Sequence, residues 1–199
     1  MTHPDGTAGV RPVIGVDAGT VTLREADHLI HGLLDRLGLT EGVFACTHLH
    51  RDDERRGTAV SLEVPDPDAV FGALRAAVPE GTGLALGGRA HGPHAAADSA
   101  RRAAAAPPAS GRAVVYPGVR HLTGTVTAGT VLDRTAVERL VVLGAPVAEL
   151  PLDARILTQD HVRPEWRDGV LALALVPAAG GLLAPFEVPD PTPCCVDHP

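Results

Sequence analysis

Lysine is absent from this chain: every one of its 17 basic residues is an arginine. The gap comes with an excess of Ala, Gly and Pro and matches the codon bias of a GC-rich bacterial genome, so no chemistry is read into it. Aromatic residues are also scarce, at 3%. The core must therefore be built from Ala, Val and Leu, with Phe44, Phe71, Tyr116, Trp166 and Phe186 as the few large fillers. Three cysteines, two of them adjacent, do not make a disulfide framework. No apolar run reaches the length of a membrane span, which argues against a membrane partner. The start, Met1 to Arg11, lacks the basic and apolar stretches of a signal peptide, and a soluble cytoplasmic protein is the expectation. Basic excess is missing too. The net charge of -7 argues against nucleic acid as the main partner, and the cluster Arg51 to Arg56 has mixed sign.

What is present is enough for one large domain or two small ones in 199 residues. Pro12 to Val16 reads as a strand. Arg24 to Leu37 carries Ala26, Leu29, Ile30, Leu33, Leu34 and Leu37 at helical spacing, with Gly38 as the stop. Gly42 to His50 and Thr58 to Val64 alternate as strands. Asp66-Pro67 opens a second helix through Val70, Leu74 and Val78, and Thr82 to Leu86 is a further strand. The order strand, helix, strand, strand, helix, strand predicts an α+β fold, with a ferredoxin-like (βαββαβ) domain over residues 1–90.

Residues 91–111 are rich in Ala and Pro without a large apolar side chain. They read as a connector or a lightly packed surface helix. His91 and His94 flank Gly92-Pro93 there, as a loop would. Residues 112–191 read as a smaller β-rich domain, with a hairpin turning at Asp168-Gly169 and a short helix around Thr135 to Arg139. Residues 192–199 read as an irregular tail carrying Cys194 and Cys195.

The most informative segment is Cys46-Thr47-His48-Leu49-His50-Arg51-Asp52. Side chains alternate along a strand, so Cys46, His48, His50 and Asp52 share one face. Two helices should cover the opposite, more apolar face, bearing Val43, Ala45, Thr47 and Leu49 with Val60, Leu62 and Val64. That leaves Phe44, the Cys46 row, Ser61, Glu63 and Asp17 on an open face. These side-chain types bind transition metals or move protons near neutral pH. Cys46, His48, His50 and Asp52 are the candidate metal ligands, for a divalent transition metal such as zinc. His48, His50, Asp17 and Glu63 are the candidate catalytic groups in a metal-assisted or acid–base reaction on a small molecule. An uncovered sheet face is polar in any case, so a non-catalytic module forming a homo-oligomer through it is the competing reading.

Val13-Ile14-Gly15-Val16-Asp17-Ala18-Gly19-Thr20 resembles the first phosphate-binding motif of sugar kinases and related actin-fold ATPases. That likeness would set Asp17 close to a metal. It covers eight residues; those proteins continue into a hairpin, whereas a helix follows here. No nucleophile elbow and no Gly-rich phosphate or dinucleotide loop occurs.

Overall fold

The computed structural model describes residues 12–51, 56–144 and 150–189. It is mixed α and β, with four helices and one twelve-stranded sheet among those residues. No helix there is long and apolar enough to cross a membrane. The first half runs β1 (Ile14–Asp17), α1 (Leu23–Leu37), β2 (Phe44–Arg51), β3 (Arg56–Glu63), α2 (Pro67–Ala77) and β4 (Gly83–Leu86). Then come β5 (Arg89–His91), α3 (His94–Ala105), β6 (Arg112–Val115), β7 (Thr125–Thr127), α4 (Ala128–Arg134) and β8 (Arg139–Val142). Strands β9 (Arg155–Leu157), β10 (Glu165–Arg167), β11 (Val170–Ala178) and β12 (Leu182–Pro185) complete the chain.

Local chemistry sets the first helices where the sequence puts them. Thr22 and Glu25 form a reciprocal capping box at the start of α1, and Gly38 ends it in the left-handed conformation at φ 64°. Asp66 caps α2 by accepting from the Ala69 amide, with Pro67 in the first turn. The hairpin between β10 and β11 turns through Asp168 and Gly169, both at positive φ, as a tight hairpin requires. The short helix expected around Thr135 to Arg139 lies earlier, as α4, because Thr127 supplies its cap.

The sheet runs β5-β4-β1-β3-β2-β6-β10-β11-β12-β9-β7, with β8 parallel to β11. β1 is antiparallel to β3 and β4, and β2 is antiparallel to β3. Ile14, Val16, Ala45, Val60, Leu62, Leu84 and Leu86 pack against α1 and α2 in one core. A second core gathers Cys46, Ala113, Tyr116 and Leu171. β2 and β6 serve both: Ala45 and Val114 face the first, Cys46 and Ala113 the second. One sheet thus crosses the boundary between the two halves.

The other face of the N-terminal strands is not open. Helix α3, from the segment expected to connect the halves, lies on it over β1, β4 and β3. It buries Ala96, Ala97, Ser99, Ala100 and Ala103. Gly15 and Gly83 make this approach feasible: a Cβ on Gly15 would stand 1.8 Å from the Ala100 carbonyl oxygen, and one on Gly83 2.1 Å from the Ala96 carbonyl carbon. Small residues on both surfaces let the backbones nearly touch, so no large apolar side chain is needed. Leu49 departs from expectation in a smaller way. It lies past the helices and is 72% exposed.

Candidate functional site

The register between β2 and β3 sets Cys46 opposite Ser61, His48 opposite Ala59 and His50 opposite Gly57. On the far side of β3, Val16 pairs with Val60. Asp17 therefore flanks the small Ala59 and Gly57, over which side chains from β1 and β2 can meet. His50 Nε2 lies 3.7 Å from Asp17 Oδ2. The carboxylate is fully buried, and its Oδ1 accepts from the Gly19 amide at 2.9 Å. Asp17 and His50 are thus brought together as the alternation implies.

His48 shares a hydrogen bond of 2.7 Å between its Nε2 and Ser61 Oγ. Burial disfavours its charged form and pulls its pKa down to about 4, so it is a neutral imidazole at physiological pH. Cys46 is 1% exposed, and the same desolvation pushes its thiol up to about 12 despite the Trp166 and Ser61 side chains that lean on it. A thiol in that state is protonated at physiological pH.

Of the expected four-ligand row, three members lie within the described residues. Asp52 lies outside the described residues. Cys46, His48 and His50 each meet different neighbours along the strand, and among the described residues no group of three or more His, Cys, Asp or Glu side chains is placed to hold a metal ion. Glu63 pairs with Phe44, six residues along β3 from the partner of His50. At about 3.3 Å per residue, that is roughly 20 Å from the Asp17–His50 pair. Phe44 itself stacks on Trp166 with centroids 5.4 Å apart, so the chain's own second half covers this part of the face.

A cavity of about 780 Å³ opens where β2, α3 and β6 meet. His48, His50, Ser99, Arg102, Gly111 and Trp166 contribute to its walls. Ser99 is 2% exposed, and its hydroxyl has no hydrogen-bond partner among the described residues. Neither His50 nitrogen has one, with the ring only 11% exposed. Buried polar atoms are nearly always satisfied, so unpartnered atoms on two residues that line one cavity call for an explanation.

Sequence reasoning misses a second constellation altogether. Arg112 Nη1 and Nη2 donate to Asp27 Oδ1 and Oδ2 at 2.6 and 3.1 Å. Its Nε and Nη2 donate to Glu187 at 2.7 and 2.5 Å. Arg163 Nε donates to Asp27 Oδ2 at 3.1 Å, and His161 Nε2 to Glu187 Oε1 at 3.0 Å. Burial opposes the charge on both carboxylates, but the Arg112 hydrogen bonds and attraction outweigh it and hold both below their ordinary values. The same contacts raise the Arg112 pKa against its own desolvation. Two signals were available: Asp27 falls on the apolar arc of α1 beside Ala26 and Ile30, and Arg112 opens an otherwise apolar strand.

No family model, curated protein or solved structure matches the chain.

Proposed function

We propose that the protein binds a small molecule in the cavity between β2 and α3, with His50 and Asp17 as an acid–base pair acting on it. The observation that carries this reading is that two residues lining the cavity, His50 and Ser99, hold buried side-chain atoms with no hydrogen-bond partner among the described residues. With Nε2 turned toward Asp17, Nδ1 of His50 is the nitrogen left to exchange a proton with a ligand. The carboxylate behind the ring would orient it; separations of this kind tighten when a substrate excludes water. His48, kept neutral, would act as a hydrogen-bonding wall rather than a cation. Metal assistance would need a third ligand, and the described residues supply none.

The N-terminal half is read as ferredoxin-like on the same footing. The antiparallel order β4-β1-β3-β2 with α1 and α2 on one face supports that description. The extension of the sheet by β5 and β6, and α3 on the second face, set it apart. The competing reading, an oligomer assembled through this face, has little surface to work with because α3 and Trp166 already occupy it.

Turnover of a panel of small esters, amides and hydroxy acids tests the proposal. His50→Gln should lower the rate by at least ~100-fold, the usual share of a general base, and Asp17→Asn by a smaller factor. Turnover indifferent to both substitutions would sink the assignment, as would a panel showing neither turnover nor binding.

A further inference from the structure

A second cavity, of about 800 Å³, lies on the other side of the Arg112–Glu187 pair; both residues line both cavities. Four arginines (Arg24, Arg112, Arg163 and Arg167) and three carboxylates (Asp27, Glu165 and Glu187) line it, a formal excess of one positive charge before His161 is counted. Leu173, Pro185, Phe186 and Val188 add apolar surface to its lining. Phe186 is 63% exposed, unusual for so large an apolar side chain in a chain with few aromatics.

The two kinds of lining residue ask for different halves of one ligand. The carboxylates of Asp27 and Glu187 are already taken up by Arg112, Arg163 and His161, so they offer little to an incoming cation. Arg163 is different. It uses Nε on Asp27 and Nη1 on the Val162 carbonyl, and its Nη2 makes no hydrogen bond among the described residues. Its side chain as a whole is 11% exposed. A guanidinium with unused N–H groups suits a carboxylate, and Phe186 with Val188 suits a hydrocarbon body.

We propose that this cavity is a second ligand site, selective for an organic monoanion with an apolar body: the carboxylate sits on Arg163 and the hydrocarbon lies against Leu173, Phe186 and Val188. It is independent of the chemistry assigned to His50 and Asp17. Isothermal titration of the full-length protein with decanoate tests it, alongside acetate and decyltrimethylammonium. Decanoate should bind saturably, acetate at least tenfold more weakly, and the cationic amphiphile without saturation. Arg163→Gln should weaken decanoate binding at least tenfold. Phe186→Ser, at an exposed position that folding does not depend on, should weaken it about fivefold, whereas His50→Leu should leave it unchanged. Equal binding of the cationic and anionic amphiphiles, no binding of decanoate, or an affinity untouched by both cavity substitutions would overturn the proposal.

Discussion

His48 is the residue whose burial makes the most direct statement about pH. Desolvation holds it at about 4, against 6.5 for a free imidazole. Between those values the unfolded chain takes up the proton and the folded chain resists it. Stability from this group is therefore complete above about 6.5 and is lost as the pH falls toward 4. At about 1.4 kcal/mol per pK unit the loss comes to at most about 3 kcal/mol, less for the part of the ring that water reaches. Urea unfolding across that window should show a falling midpoint in the wild type and a flatter one in His48→Gln; parallel slopes in the two proteins would show that His48 is not protonated on unfolding. The placement of these side chains was legible at this scale. Alternation in β2, combined with an apolar Ile14 and Val16, was sufficient to set Asp17 on the same face as His50. Alternation could not tell that Glu63 lies about six residues away along β3, because shared faces say nothing about distance along a strand.

At the scale of elements, α3 decides whether there is a cavity at all. Its helicity was readable from alanine propensity, but its packing was not, because packing is ordinarily read from large apolar side chains and this contact has none. The signal was instead the pairing of Gly15 and Gly83 on strands with Ala96 and Ala100 on a helix, a complementarity that appears only once the strands are in register. Gly15→Ala puts a methyl group into the Ala100 carbonyl. The expected cost is about 3 kcal/mol, the upper end of overpacking penalties, with faster amide exchange in α3 than in α1. A thermal midpoint within a degree of wild type would mean that α3 does not seat on the sheet this closely.

At the scale of the molecule, Arg112 joins parts that are far apart in sequence. Its partners are Asp27 in α1 and Glu187 beyond β12, and through them His161 and Arg163. The charged network thus ties the N-terminal helix to the last described strand across the shared sheet. Arg112→Met leaves two largely buried carboxylates short of their main counter-charge and should cost about 3–5 kcal/mol. Both carboxyls have lowered pKa values, so their contribution is present above the ordinary carboxylate range and lost as acid titrates them. Below that range the wild type and Arg112→Met should converge in stability; a gap that stays constant down to strong acid would contradict the network's ionic character. Periodicity could flag Asp27 and Arg112 as charges in apolar settings but not pair them, since an ion network among distant residues has no local pattern.

The small-molecule site proposed between β2 and α3 is the part most open to direct test. Saturation-transfer NMR with a panel of small hydroxy acids, amides and esters tests it, comparing the wild type with His50→Leu and with Ser99→Phe, a bulkier side chain on a residue that lines the cavity. At least one compound should give a signal with the wild type that is lost in both variants. A panel with no signal, or signals that survive in a folded Ser99→Phe protein, would contradict it.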